Sequence, residues 1–303
     1  MRCLEGLAGR KQDNPHMRTA GLCDLHMHSY YSDGCTSPEA LVRHAASLGL
    51  TAVALTDHDN TRGIPEAQVV ADELGIWLIP GVEFASQWQG YGWSEWGYAV
   101  DMLGYFVDRT LPEFQKLEGE MLAYYFDQFA EMVEEINRQG YPIMLEEIRQ
   151  EHPQYPDVFA VASVLKKKGL TEDEDTALWM AADCWNKICR LNFPVERVIR
   201  TIHAAGGVAV LAHPSVVLRP DGSWIEAEDL AKLVEMGLDG IEVYHYRLPD
   251  EKTRRHFLRL ARRFDLVVTG GSDEHGRPDG FRRMGTQPIT EETITALQAR
   301  RRG

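Results

Sequence analysis

Short apolar runs and amphipathic stretches alternate along most of this chain. Leu22–His28 is an apolar run. Ser37-Pro38-Glu39 then opens an amphipathic stretch to Leu48, with Ser37 as N-cap, Pro38 at the first helical position and Gly49 as the stop. Thr51–Thr56 (TAVALT) has the composition of a buried strand, a turn and a helix to Leu74 follow, and Ile76–Ile79 reads as the next strand. Repeated strand–helix units of this kind predict a parallel sheet or barrel. The rhythm stops after Asp108. Leu111–Gln139, Met144–His152, Asp157–Lys168 and Glu172–Leu191 all read as helices with no strand between them. It resumes with Val195–Ala205, strand Gly207–Ala212, helix Glu228–Met236, strand Gly240–Tyr244, helix Asp250–Phe264 and strand Leu266–Thr269. The pattern predicts one α/β domain over residues 21–108 and 194–303, interrupted by a helical insertion over 109–193.

Composition narrows the function classes. The 303 residues carry a formal charge of −14, which argues against a long nucleic acid as the main partner, since polyanion binding needs a basic surface. A small phosphorylated ligand held by a few local cations stays compatible. No apolar run reaches the length of a membrane span. Residues 1–20 are polar and mixed in charge and read as a poorly ordered leader. The five cysteines contain no C-x-x-C pair, which suits a reducing cytoplasm better than a disulfide framework.

The chemistry sits where strands end. Asp24-Leu25-His26-Met27-His28 closes the first strand, and side chains two apart share a face, so His26 and His28 can grip one ion. Asp33 follows in a Ser-Asp-Gly turn. TAVALT runs into Asp57-His58-Asp59, IWLIP into Gly81-Val82-Glu83, VAVLA into His213-Pro214, and VVTGGS into Asp273-Glu274-His275. In parallel α/β architectures these ends converge on one face. Each element alone has a structural explanation; their joint occurrence predicts a metal centre. Mixed imidazole and carboxylate ligands suit Mn, Fe or Zn, and their number implies two or three ions. Neighbouring divalent ions lower the pKa of a bound water and clamp phosphoryl oxygens, so hydrolysis by a metal-bound hydroxide is the expected reaction. These residues leave phosphate ester, amide and lactone substrates open.

The motifs DLHMHSYYSDG, ALTDHDNTRGIPEA, PGVEF, LAHP and GGSDEHG, in that order, resemble the PHP (polymerase and histidinol phosphatase) family. The insertion resembles the branch that contains the 3′,5′-nucleotide bisphosphate phosphatase and 5′-exoribonuclease-like members. The resemblance implies a distorted (β/α)7 barrel with a trinuclear metal centre. It implies one ion on His26, His28, Glu83 and Asp273, a second on Asp33, His58 and His275, and a third on Glu83, His213 and one more ligand. Asp101 stands where relatives carry a histidine, and a carboxylate there favours Mn or Mg over Zn. His213 and Asp273 are the candidates for proton transfer.

Substrate contacts are less legible. Asp157–Ser163 retains none of the cations that relatives place in the matching segment of the insertion. Arg247 is a replacement candidate for the phosphate contact, and Trp88 and Trp93 are candidates for stacking a base or ring. The leading expectation is a cytoplasmic, metal-dependent phosphoesterase acting on a nucleotide monoester. The alternatives are a histidinol-phosphate or sugar phosphatase, an oligonucleotide exonuclease, or a metal-binding sensor without catalysis.

Overall fold

The structure, a computed structural model, describes residues 21–91, 99–248, 250–277 and 283–302; the leader expected over 1–20 lies outside them. Seven strands pair in chain order: β1 (Cys23–Asp24), β2 (Ala52–Leu55), β3 (Trp77–Gln87), β4 (Ala99–Tyr105), β5 (Val208–Leu211), β6 (Gly240–Tyr244) and β7 (Val267–Gly270). Past β7 the chain returns to β1. The Asp273 N–H donates to His26 O (2.9 Å) and the His28 N–H to Glu274 O (2.7 Å), so the sheet forms a nearly closed barrel.

Two of the pairings differ from an all-parallel expectation. β4 runs antiparallel to both β3 and β5, while the other neighbours are parallel. β3 also continues past Ile79 to Gln87. Pro80-Gly81 reads as punctuation in the sequence, yet both residues suit this strand. Pro80 contributes its carbonyl, which accepts the Phe106 N–H at 2.8 Å. A Cβ on Gly81 would stand 2.9 Å from Leu55 O, so glycine lets β2 and β3 stay close. Glu83 and Asp101 therefore sit inside strands rather than beyond their ends.

Helices α1 (Pro38–Ser47) and α2 (Ile64–Leu74) pack on the first strands. Ser37 Oγ accepts the Ala40 N–H at 3.1 Å, the expected N-cap, and α1 buries Leu41, Val42 and Ala45. Between β4 and α7 (Val195–Ala204) lie α3 (Pro112–Arg138), α4 (Leu145–Glu151), α5 (Val158–Lys167) and α6 (Glu174–Ile188). These four enclose an apolar cluster of their own, including Phe129, Met132, Ile136, Ile148, Val161, Leu165 and Cys184. Full burial of such side chains is worth about 1.5–3 kcal/mol each, which lets the helices hold together away from the barrel core. Their loop leans on the barrel rim: His152 Nε2 donates to Gly34 O (3.0 Å), and the Arg62 guanidinium to Gln154 O (3.3 Å). Helices α8 (Ala227–Glu235), α9 (Glu251–Arg263) and α10 (Glu291–Gln298) complete the outer layer. None of the described helices is long and apolar enough to cross a membrane.

Candidate metal centre

The site is assembled by close backbone approach at the barrel rim. His26 and His28 leave β1 two residues apart and are fully buried. A Cβ on Gly271 would stand 2.3 Å from the His26 Cβ, so only glycine lets the chain after β7 close against them. Asp57 takes hydrogen bonds from Ser29 N (2.6 Å), Ser29 Oγ (2.7 Å) and Ser32 Oγ (2.8 Å). It shapes the loop that carries Asp33. His213 (φ 25°) and Asp273 (φ 54°) turn sharply through the left-handed region. Such backbone costs about 1–3 kcal/mol per residue and persists where the surroundings hold it.

Glu83 stands at the middle. Its Oε2 lies 3.0 Å from His26 Nε2, 3.1 Å from His28 Nε2 and 3.6 Å from His58 Nε2, and its Oε1 lies 2.9 Å from His213 Nε2. Asp273 Oδ1 approaches His28 Nε2 (3.3 Å) and His26 Nε2 (3.6 Å). Asp33 lies 3.2 Å from His275 Nε2, 3.7 Å from His28 Nδ1 and 3.9 Å from His58 Nε2. Asp101 Oδ2 lies 3.8 Å from His213 Nε2. All nine residues expected as ligands thus meet in one cluster.

The donor set fits divalent cations. His26 and His28 turn their Nε2 atoms to within 3.1 Å of each other and toward two carboxylates. Neutral imidazoles facing this way bring lone pairs together, an arrangement that a cation between them relieves. Asp33 Oδ1 is buried without a hydrogen-bond partner among the described residues. Electrostatics agree. Burial works to raise the Glu83 carboxyl, but His26, His58 and His213 outweigh it and hold it well below the usual range. Asp101, with fewer imidazoles beside it, is pushed up to about 6 by burial and by the charge of Glu83.

Above the cluster opens a cavity of about 720 Å³. Its floor includes Asp33, His58, Glu83, Asp101, His213, Asp273 and His275, and its wall includes Arg247, whose Nε lies 4.0 Å from Asp273 Oδ2. Trp88 is placed elsewhere: it is buried in the barrel core, stacked on Tyr91 at 3.8 Å, and does not line the cavity. Trp93 lies outside the described residues. The aromatic wall comes instead from the insertion, through Tyr124, Tyr125, Tyr155, Phe159, Trp179 and Trp185, joined by Phe193 and Tyr246. Two arginines not singled out in the sequence also line it. Arg277 stacks on Phe159 at 3.3 Å and Arg283 on Tyr246 at 3.8 Å. Sequence reasoning also passed over Glu242 and His245 beneath the cluster. A charged residue inside the apolar run Gly240–Tyr244 was the available signal.

A family model described as PHP domain matches residues 24–232. The chain belongs to the PHP domain family. It is similar to a 5′-3′ exoribonuclease of Haemophilus influenzae, at 31% identity over 83% of this chain and 89% of that one. A phosphoribosyl 1,2-cyclic phosphate 1,2-diphosphodiesterase of Eggerthella lenta is 29% identical over 84% and 94%. A 3′,5′-nucleoside bisphosphate phosphatase of Chromobacterium violaceum is 26% identical over 91% and 96%. Among solved structures, one assigned as a metal-dependent phosphoesterase from Bifidobacterium adolescentis superposes with a TM-score of 0.79 at 29% identity, covering 95% of this chain and 99% of its own. Family membership and this neighbour make the PHP chain a metal-dependent phosphoesterase. The barrel with its nearly closed seven-stranded sheet is the PHP-like fold that the motifs implied.

Proposed function

We propose that this PHP phosphoesterase hydrolyses a phosphate ester on a nucleotide. The observation that carries this is the cavity, which joins an acid–imidazole floor to an aromatic wall and three arginines. Its volume lies within the usual range for small-molecule sites. Stacking a base on an aromatic ring is worth about 1–3 kcal/mol, and guanidinium groups suit phosphate oxygens. Relatives named as a 5′-3′ exoribonuclease and a 3′,5′-nucleoside bisphosphate phosphatase support the same class. The charge of −14 favours short substrates over long nucleic acid. The five cysteines contain no C-x-x-C pair, which suits a cytoplasmic setting.

Two or three divalent ions, Mn, Fe or Zn with Mg also compatible, would be held by His26, His28, Glu83 and Asp273, by Asp33, His58 and His275, and by Glu83, Asp101 and His213. When bound, such ions make water acidic and neutralise charge building on phosphoryl oxygens. The rest falls to the chain. Arg247, beside Asp273, orients the phosphate. The aromatic wall positions the base and keeps bulk water from the floor. His213 and Asp273 are the groups proposed to handle protons at the attacking and leaving oxygens, and no side chain needs to bond phosphorus. The helical insertion, residues 109–193, acts as the substrate cover.

A second reading, removal of mononucleotides from the end of a short RNA, is favoured by Trp179. This tryptophan lines the cavity yet is 77% exposed, as a platform for a second base would be. The test is product release by the Mn-loaded protein from nucleoside monophosphates and bisphosphates, histidinol phosphate, an aryl phosphate and short oligonucleotides. Turnover concentrated on nucleotides supports the proposal; equal turnover of every monoester, or none, overturns it.

A further inference from the structure

Strand β6 carries none of the nine expected ligands, yet its end lies directly beneath three of them. Glu242 Oε1 is 2.9 Å from His26 Nδ1, and Glu242 Oε2 accepts the His213 backbone N–H at 2.9 Å. Both contacts are buried. His245 follows three residues later, a spacing that would send the two side chains to opposite faces of a regular strand. The register against β7 slips between Glu242 and Tyr244, and such a bulge re-aims the residues after it. His245 Nδ1 accepts the Arg247 N–H at 3.1 Å. A ring nitrogen that accepts from a backbone amide carries no proton, so the neutral imidazole has its proton on Nε2. That buried N–H faces Asp273 Oδ2 at 3.4 Å, and no other acceptor competes for it among the described residues.

His26, Glu242 and His245 also lie close enough together to suggest a further ion site. The chemistry disfavours it. His26 would have to ligate through Nδ1 while its Nε2 already faces Glu83 and His28, and His245 has only Nε2 left, turned toward Asp273. Direct action on substrate is equally disfavoured, because neither Glu242 nor His245 lines the cavity.

We infer that Glu242 and His245 are positioning residues that pre-set three metal ligands: the tautomer and ring plane of His26, the backbone turn at His213 and the carboxylate of Asp273. This rests on the metal-centre reading of the site. A carboxylate that takes the outer N–H of a ligating imidazole leaves the inner nitrogen deprotonated and more basic. The same carboxylate holds the amide of His213, whose φ of 25° needs support. Two residues from one strand end therefore brace ligands delivered by β1, β5 and β7.

The test is equilibrium dialysis of the metal-free full chain against Mn²⁺, with thermal unfolding of the metal-free protein measured in parallel. Glu242→Gln and His245→Phe should bind Mn²⁺ about 10–100-fold more weakly than wild type, while the metal-free midpoints stay close. His245→Gln keeps an N–H able to reach Asp273 and should recover most of the affinity; Glu242→Asp, with its oxygens withdrawn, should not. Wild-type affinity in folded Glu242→Gln and His245→Phe overturns the inference, and His245→Gln as weak as His245→Phe overturns the donor role of His245. A wild-type chain that takes up no Mn²⁺ fails differently, because it removes the metal-centre reading itself.

Discussion

His213 Nε2 lies 2.9 Å from Glu83 Oε1, tying the end of β5 to the middle of β3 through a fully buried contact. Glu83 thereby serves imidazoles from three strand ends at once, because its second oxygen faces His26, His28 and His58. Glu83→Ala should lower kcat by about 10²–10³-fold, the scale of losing a central charge-stabilising group. Steady-state kinetics on the Mn-loaded variant would show it, with circular dichroism confirming that the barrel remains. Chelation of wild type should remove activity and readdition of Mn²⁺ should restore it.

Asp101 bears on metal choice. With Glu83 so near, its carboxyl is pushed up to about 6, so it gains from a cation beside it. Asp101→His replaces an oxygen donor with a softer nitrogen and should move the preference from Mn²⁺ toward Zn²⁺. Competition between the two metals, read by elemental analysis after dialysis, decides this. An unchanged ratio would place Asp101 outside the metal set.

Arg283 stacks on Tyr246 in the cavity wall, and its buried Nε has no hydrogen-bond partner among the described residues. Arg283→Ala should raise KM for a nucleotide about tenfold, the equivalent of about 1.4 kcal/mol. The rise should be smaller for an aryl phosphate that reaches only the floor. Equal effects on both substrates would remove Arg283 from the specificity wall.

Gly271 tests how the site is built. A methyl group there would meet the His26 Cβ at 2.3 Å and its amide nitrogen at 2.5 Å. Overpacking of this kind costs about 1–3 kcal/mol. Gly271→Ala should lower the denaturation midpoint and weaken metal binding together, since the same contact spaces His26. A variant as stable as wild type would show that the rim can relax.

Asp229 offers a pH test remote from the metal ligands. Its carboxylate accepts hydrogen bonds from Tyr91 Oη (2.6 Å), Arg219 Nε (2.6 Å) and the Glu226 N–H (2.9 Å). Burial opposes ionisation, but these partners prevail and hold the carboxyl below its ordinary value. A depressed native pKa contributes stability above the unfolded-state pKa of about 3.9, and that contribution is lost as pH falls through the native value. Asp229→Asn should therefore cost about 1–3 kcal/mol at pH 7. The gap from wild type in urea melts should shrink below about pH 4; a gap independent of pH would assign the loss to packing.

How much was readable in one dimension follows from what each residue depends on. The helices announce themselves because capping and amphipathic spacing are local: Ser37 before Pro38, and the apolar face of Leu41, Val42 and Ala45, need no distant partner. His26 and His28, Asp57-His58-Asp59, His213 and Asp273-Glu274-His275 stand out because polar groups that end apolar strands are cheap to recognise. β4 does not, because its antiparallel course depends on β3 continuing through Pro80-Gly81, and those residues signal a turn wherever no neighbour needs them. Trp88 and the true aromatic wall are indistinguishable by composition; burial beside Tyr91 or exposure above the floor is decided by where α3–α6 settle.

The sequence by itself determined the barrel rhythm, the inserted helices and the metal-binding chemistry, because local spacing and residue type specify all three. Only the tertiary structure decided the reversal of β4, the source of the cavity wall, and the layer of Glu242 and His245 beneath the ligands. Those depend on distances between segments far apart in the chain, which hydrophobic period and side-chain chemistry do not encode. His26 and Glu242 are 216 positions apart and meet at 2.9 Å because the barrel closes.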